Sequence, residues 1–136
     1  EKILSCDSRL DSFRKLHENG IKCLVLRYRG EIVAYSCIRL HAGDVEYLPF
    51  PIKDNEAYLF NLFVQKSFRK RNLASYLTYE CYKILMEMGR DTYYSYCDFA
   101  NKPSLKCKKK LHARKLLLCG SVRIFNKYEK KWTTKV

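Results

Sequence analysis

The apolar positions in the first half of the chain predict a helix, a hairpin and a buried strand. Segment 7–20 carries most of its apolar side chains on one helical face. Residues 21–40 form two β-branched and aromatic runs joined at Arg29-Gly30-Glu31, as in a hairpin. Segment 57–64, AYLFNLFV, is almost continuously apolar, which is typical of a strand buried on both faces.

The middle of the chain predicts a βαβ unit. Between 72 and 88 the apolar residues recur at helical spacing, and Gly89 supplies a C-terminal stop. The aromatic segment that follows predicts a strand over 91–98. A helix between two strands allows them to lie parallel, so we expect strands 57–64 and 91–98 to be parallel neighbours.

The remaining segments predict a second helix and two closing strands. We expect the helix within 100–112, where Pro103 suits the first turn because its missing N–H needs no partner there. Segments 114–126 and 130–136 read as strands, with residues 127–129 in the turn between them.

Together these elements predict an α/β or α+β protein. The expected architecture is a mixed, mostly antiparallel central sheet with helices on both faces. A length of 136 residues suits a single domain over 1–136. Because the chain begins with Glu rather than Met, we expect it to be a fragment or a trimmed form.

The charge balance narrows the classes of partner. Twenty-seven Lys and Arg residues against 14 Asp and Glu give a formal net charge of +13. Such an excess favours anionic partners, namely phosphorylated cofactors, nucleic acid or an acidic surface, and does not choose among them. A hydrophobic fraction of 47% and an aromatic fraction of 14% argue against intrinsic disorder.

Cysteine usage predicts a reduced, cytoplasmic protein. The chain has 7 Cys and no C-x-x-C pair, and most of the cysteines lie inside apolar runs. We therefore expect small buried core residues rather than disulfides, and no metal site, since the 3 His are also far apart. No apolar run approaches the ~20 residues of a membrane span, and no signal peptide is visible.

The stretch VQKSFRKRNLASYL, residues 64–77, carries the strongest chemical signal. Three cations, Arg69-Lys70-Arg71, precede Asn72 and the predicted helix. A helix that follows a buried strand presents unpaired N–H groups and a positive dipole end, which together suit a phosphate or pyrophosphate. The stretch matches neither the Walker loop nor the G-x-G-x-x-G pattern. On physical grounds alone, a solvated basic turn is an equally good interpretation.

Two ordered motifs resemble the GNAT superfamily of acyl-CoA N-acyltransferases. In LFVQKSFRKRNLASYL, the family's motif positions are held by Val64, Arg69, Asn72 and Ala74. Downstream, NKPSLKCKKKLH resembles the family's later motif, with Asn101 and Ser104 in its places. The pair of motifs covers about 57–130, and the hairpin at 21–40 matches the family's second and third strands.

The resemblance implies a site for acetyl-CoA or another acyl-CoA as co-substrate. Strand 57–64 is expected to splay from its neighbour, with the pantetheine arm lying in the gap and the amine attacking the thioester directly. Helix 100–112 would border the pantetheine on the other side. The cofactor-binding residues implied in this way are Leu62, Phe63, Val64, Arg69, Lys70, Arg71, Asn72, Leu73, Ala74, Ser75, Asn101 and Ser104.

Several positions depart from the family pattern. Asn72 stands where the motif has glycine, and Asn61 lies near the place of the usual catalytic carboxylate. The nearest carboxylate is Glu56, which we take as the candidate base. Lys108 holds the place of the tyrosine that protonates the leaving thiolate, and a lysine could donate that proton or bind a phosphate. The family's first strand and helix are not clearly present before residue 7.

Three functions compete. The first is N-acyltransfer, most simply of acetyl to a primary amine, because an amine needs only to lose a proton before it attacks. The second is an acyl-CoA-binding module with little or no turnover, which the departures at Asn72 and Lys108 favour. The third is a nucleic-acid-binding domain, suggested by KCKKKLHARK at 106–115. The amine and the oligomeric state are not readable, although acidic residues at 44, 46, 54 and 56 could attract a cationic acceptor.

Overall fold

The computed structural model describes residues 6–45, 48–124 and 128–136. Its α-helices are α1 (Cys6–Glu18), α2 (Leu73–Glu87) and α3 (Lys102–Lys110), and a short 3-10 helix spans Lys66–Phe68. Its strands are β1 (Ile21–Tyr28), β2 (Glu31–Arg39), β3 (Glu56–Val64), β4 (Thr92–Tyr94), β5 (Leu117–Ile124) and β6 (Tyr128–Lys135). The element order is therefore the predicted one.

Strands β1 to β4 form one sheet in that spatial order, with β1 at an edge. The first three strands are antiparallel, and β1 and β2 form the predicted hairpin. Arg29 and Gly30 have φ values of 50° and 84°, so the turn has the left-handed backbone that matches the twist of a tight hairpin. The predicted parallel pairing is also present, between β3 and β4.

Strand β4 is much shorter than predicted. Only Thr92, Tyr93 and Tyr94 pair with β3, opposite Glu56–Tyr58, and residues 95–98 leave the sheet. The prediction of a strand over 91–98 was therefore wrong beyond Tyr94. The aromatic composition of the segment suits a strand, but a strand also needs a neighbour, and β3 bends away at this point.

The prediction that β3 is buried on both faces is right only for its first half. Ala57, Tyr58 and Leu59 are buried, whereas Asn61 and Leu62 are exposed. The exposed half is the part that has no partner on the β4 side. An apolar run reports the average environment of a strand and does not locate the point where a neighbour ends.

Helix α2 covers one face of the sheet. Leu77, Cys81 and Leu85 recur every four residues along its buried side. Cys81 and Leu85 pack against Ile38 of β2 and Leu59 of β3 in the main core. Burial of this stripe removes apolar surface from water and is the principal term holding the helix on the sheet.

The opposite face is covered by α1 and by the loop after β2. The ring of Phe13 in α1 meets the ring of Tyr35 edge to face, with the centroids 5.0 Å apart. Val45 and Ile52 from the loop pack on Tyr58. Successive residues of a strand point to opposite faces, so Tyr35 and Ile38 confirm that the sheet carries helices on both sides.

The two closing strands form a sheet of their own. β5 pairs with β6 from Leu117↔Lys135 to Ile124↔Tyr128, and within the described ranges neither strand joins the main sheet. Residues 46 and 47 of the acidic loop and residue 127 of the predicted turn lie outside the described residues. Tyr128 and Glu129 pair with Ile124 and Arg123 as part of β6, so the turn predicted at 127–129 was wrong for these two residues. Within the rest of that loop, Gly43 and Ile52 form an isolated antiparallel bridge.

Adjacent residues of α2 provide a test of the core. Leu85→Ala should lower the free energy of unfolding by about 3 kcal/mol, because it leaves a cavity in the cluster between α2 and the sheet. Met86→Ala is the matched control, since Met86 is 67% exposed, and should change the free energy of unfolding by about 0.5 kcal/mol or less. Urea denaturation of both variants measures the difference. Equal losses would contradict this account of the core.

Candidate functional site

A bulge in β3 opens the sheet. Tyr35 pairs with Phe63 and Cys37 pairs with Phe60, so β3 contains one more residue than β2 between these pairs. Asn61, within the bulge, has φ of 51°, a left-handed conformation that asparagine tolerates better than most residues. A bulge bends its strand and increases its twist, and here it turns the end of β3 away from β4.

The gap between β3 and β4 forms a small cleft of about 30 Å³ under α3. The β3–β4 ladder stops at Tyr58 and Tyr94, so the edge of β3 from residue 59 onward faces the gap rather than another strand. The cleft is lined on the sheet side by Leu59, Leu62, Tyr93, Tyr94 and Ser95, and on the helix side by Thr78, Tyr82, Ser104, Cys107, Lys108 and Leu111.

Helix α3 is fixed over this cleft by its cap and by one contact with α2. The side-chain oxygen of Asn101 accepts a hydrogen bond from the Ser104 N–H at 3.1 Å, and Pro103 lies in the first turn as predicted. The Ser75 hydroxyl donates to the sulfur of buried Cys107 at 3.4 Å. The side chains of Asn101 and Ser75 thus hold the two helices, while Ser104 lines the cleft.

The backbone before α2 exposes a series of N–H groups. Lys70 and Asn72 are both left-handed, with φ of 64° and 59°. Within the described part of the chain, the N–H groups from Lys70 to Ser75 have no hydrogen-bond acceptor, and the first bonded amide is that of Tyr76, which donates to the Asn72 carbonyl at 3.0 Å. Left-handed residues that alternate with right-handed ones gather successive N–H groups into an anion-binding concavity.

The cations around this backbone have different roles. The Arg69 Nε donates to the Val64 carbonyl at 3.0 Å and so ties the loop to the end of β3. The Arg71 guanidinium lies 5.4 Å from the centre of the Phe68 ring. From α3, the Lys110 ammonium donates to the Asn72 side-chain oxygen at 2.7 Å. A positive charge on α3 is therefore held next to the bare amides.

Lys108 reaches into the cleft from α3. It is half-buried, and its ammonium donates to the Ser95 hydroxyl. Burial lowers the pKa of Lys108 below its usual value, and the nearby Cys97 and Cys107 only partly oppose that effect. The ammonium is consequently a better proton donor than an exposed lysine would be.

Glu56 lies at the opposite end of β3 from Val64. It is buried, and both carboxylate oxygens accept hydrogen bonds, one from the Lys53 N–H at 2.8 Å and the other from the Tyr94 hydroxyl at 3.1 Å. The second bond reaches the point where β3 and β4 separate. Burial raises the pKa of Tyr94, and the hydrogen bond that its hydroxyl donates to Glu56 raises it further.

The structure brings most of the sequence-predicted residues to one side of the sheet. The open edge of β3 at Leu62, Phe63 and Val64 leads directly into the loop Arg69–Asn72 and the first turn of α2, and Ser104 and Lys108 face them across the cleft. Sequence reasoning did not assign Ser95, Tyr94 or Lys110 to this site. Lys110 gave no signal because it stood within a run of lysines, and its partner lies 38 residues away.

Among the described residues there is neither a cluster of metal ligands nor a membrane-spanning helix. No three His, Cys, Asp or Glu side chains among them are grouped so that they could hold a metal ion. None of the helices described is long and apolar enough to cross a membrane.

Comparisons with known proteins agree with this architecture. A family model described as the Acetyltransferase (GNAT) family matches residues 3–113. An N-acetyltransferase from Staphylococcus aureus Mu50 is similar with a TM-score of 0.65 and 18% identity, over 98% of this chain and 79% of that one. The aminoglycoside N-acetyltransferase AAC(6′)-Iy, in complex with CoA, gives a TM-score of 0.57 and 19% identity, over 75% and 80% of the two chains.

A third solved structure is an aminoglycoside acetyltransferase from an uncultured soil metagenomic sample. Its TM-score is 0.56 at 21% identity, and the match covers 75% of this chain but only 64% of that one. These identities are low, so the three structures establish the fold alone. A comparison with curated proteins gave no match.

The left-handed residue before α2 can be tested directly. Asn72→Ala should lower the free energy of unfolding by about 1 kcal/mol, because alanine tolerates φ of 59° poorly. Asn72→Gly should cost less, since glycine adopts this conformation without strain, and both variants lose the same bond to Lys110. Chemical denaturation measures both. Equal destabilisation by Ala and Gly would show that the stability contributed by Asn72 comes from its side-chain contact with Lys110 and not from its tolerance of the left-handed backbone.

Proposed function

The chain belongs to the Acetyltransferase (GNAT) family, and from that premise we propose that it transfers an acyl group, most simply acetyl, from an acyl-CoA to a primary amine. The observation that carries the proposal is the row of unpaired N–H groups from Lys70 to Ser75, set among cations at the end of the open strand edge. The presence of CoA in a solved structure of similar fold supports the same cofactor here.

In the proposed complex, the pyrophosphate is bound by the amides of the loop and the first turn of α2. Its negative charge replaces the missing acceptors and is stabilised by the helix dipole and by Arg69, Lys70 and Arg71. Lys110 lies close enough to Asn72 to contribute a further cation. The left-handed backbone at Asn72 supplies the conformation for which the family uses glycine.

The pantetheine arm would then follow the open edge of β3. Its amide groups can pair with the backbone of Leu62 to Val64, as an added strand would. The cleft of about 30 Å³ is too small for this arm, so the side chains of Leu62 and Lys108 would rotate outward as it enters. Leu62 is already 39% exposed and Lys108 is long and flexible, so both movements are feasible.

The reaction requires stabilisation of an oxyanion and two proton transfers, one from the amine and one to the departing sulfur. The amine nitrogen attacks the thioester carbonyl, and the resulting oxyanion is stabilised by a backbone N–H of β3 near Val64. Collapse of the tetrahedral intermediate breaks the carbon–sulfur bond, and the Lys108 ammonium gives its proton to the departing CoA sulfur. The hydrogen bond between Asn101 and Ser104 fixes the first turn of α3. The same helix carries Lys108 across the cleft.

We assign the second proton transfer to Glu56 acting through Tyr94. Glu56 is buried and does not line the cleft, whereas Tyr94 does, so an amine in the cleft would meet the tyrosine before the carboxylate. The Tyr94 hydroxyl, which donates to Glu56, keeps lone pairs that can accept from the amine. A proton can pass from the amine to the tyrosine oxygen as the tyrosine proton passes to Glu56.

Binding of the cofactor is tested by thermal melting with acetyl-CoA, longer acyl-CoAs and free CoA. At 100 times its dissociation constant, a ligand should add about 2.7 kcal/mol of stability and raise the melting temperature. Arg69→Glu should abolish the shift. Lys22→Glu is the control, because it makes the same change of charge on the exposed side of β1, at the other edge of the sheet.

The outcomes of this experiment separate the alternatives. Loss of the shift in Arg69→Glu but not in Lys22→Glu would support the loop as the pyrophosphate site. No shift with any acyl-CoA would remove the proposal. A shift without product, over a panel that includes aminoglycosides and peptide amines, would leave acyl-CoA binding and remove turnover.

The role of Lys108 is tested by its pH dependence. The proton donor must be charged, so kcat should fall as the pH rises through the pKa of Lys108, which burial places below that of an ordinary lysine. Lys108→Met should lower kcat by about 100-fold and remove this alkaline limb, with little change in the KM for acetyl-CoA. Lys109→Met is the control, because Lys109 is exposed on the same helix.

A different kinetic pattern would reassign the residue. If Lys108→Met raised the KM for acetyl-CoA and left kcat and its pH profile unchanged, Lys108 would be a cofactor-binding residue and not the acid.

A further inference from the structure

Two cysteines that the proposed reaction does not use lie directly opposite one another in the main sheet. Cys23 of β1 and Cys37 of β2 are partners in the antiparallel register. Their side chains therefore point to the same face, and the two thiols lie next to each other. Cys37 is buried, whereas Cys23 is partly exposed on the edge strand.

This geometry is compatible with a covalent link. Directly opposed residues of antiparallel strands have Cα atoms about 4.5 or 5.5 Å apart, and both values lie within the roughly 4.4–6.8 Å of disulfides. The backbone therefore needs no large rearrangement to join the two sulfurs. Both cysteines are present as free thiols in the structure.

The two thiols are also chemically unequal. The neighbouring Cys37 thiol lowers the pKa of Cys23, although burial acts in the opposite direction. Interaction with Cys23 and burial together raise the pKa of Cys37 well above its usual value. Cys23 is thus the better nucleophile and the more accessible one, and Cys37 remains a thiol next to it.

We propose that Cys23 and Cys37 form a site of reversible oxidation by hydroperoxides, which closes to a disulfide between β1 and β2. In the first step the Cys23 thiolate attacks one oxygen of hydrogen peroxide and the O–O bond breaks. Hydroxide departs, and Cys23 becomes a sulfenic acid. In the second step the Cys37 sulfur attacks the Cys23 sulfur and forms the S–S bond. The hydroxyl leaves with the Cys37 proton as water.

Three of the other described cysteines serve as internal comparisons, and a fourth, Cys97, is partly exposed like Cys23. Cys81 and Cys107 are buried in the helices α2 and α3, and burial raises the pKa of Cys81 to about 11. Cys119 is exposed on β5. If exposure alone decided oxidation, Cys119 would react first and would give sulfinic or sulfonic acid, or an intermolecular disulfide.

The experiment is peptide mapping of the whole chain after treatment with hydrogen peroxide. Trypsin cleaves after Lys22 and Arg27 and after Arg29 and Arg39, so it places Cys23 and Cys37 in separate peptides, 23–27 and 30–39. We expect these two peptides to be joined in the oxidised wild type and in Cys119→Ser, and to separate on addition of dithiothreitol. Cys23→Ser should give no joined peptide, and its Cys37 should stay reduced.

A second readout is the melting temperature. The link closes a short loop between strands and should raise the melting temperature of the oxidised wild type by about 5–10 °C, reversibly with dithiothreitol. Cys23→Ser should show no such shift. The mapping of the wild type needs no substitution, so it decides the question even if a variant folds poorly.

Oxidised wild type in which Cys119 is modified while Cys23 and Cys37 remain reduced would overturn the proposal. So would overoxidation of Cys23 without a link to Cys37, or a disulfide that joins either residue to another cysteine.

Discussion

The site depends on one interrupted hydrogen-bond ladder. β3 and β4 pair only as far as Tyr58 and Tyr94, because the bulge at Asn61 turns the rest of β3 aside. A ladder that continued would satisfy the edge of β3 and close the cleft. Its interruption leaves a strand edge able to bind an extended ligand and places the end of that edge next to the start of α2. The backbone, rather than any single side chain, therefore defines the direction in which an acyl-CoA would lie.

The positive charges along this backbone lie in two environments, at the surface before α2 and inside the cleft. At the surface, the loop before α2 combines unpaired amides with cations in water, where charge attracts an anion but each single contact contributes little. Inside the cleft, Lys108 is half-buried, so its charged form is less well solvated than that of an exposed lysine. Its pKa is lowered and its proton is more easily released. The same residue type thus serves binding at one end of the cofactor and, in our proposal, proton transfer at the other.

Periodicity and turn residues were sufficient to predict the order of the elements, the hairpin, the parallel pair and the place of Pro103 in the first turn of α3, because these depend on neighbours close in sequence. The length of β4 and the exposure of the second half of β3 were missed, since both depend on the bulge, and AYLFNLFV carries no glycine or proline to mark it. The motif indicated the loop Arg69–Asn72 and the first turn of α2. It could not show that Lys110 reaches Asn72 or that Tyr94 contacts Glu56, because such contacts arise only when distant segments fold together.

The bond between Lys110 and Asn72 has a consequence for how a cofactor would enter and leave. Asn72 offers the ammonium a neutral oxygen, whereas a phosphate oxygen adds the attraction between two opposite charges. A phosphate that binds at the loop would therefore replace Asn72 as the acceptor of the Lys110 ammonium. When the phosphate leaves, the ammonium would again donate to Asn72. The Asn72 side chain therefore gives the Lys110 ammonium a hydrogen-bond partner when no phosphate is bound.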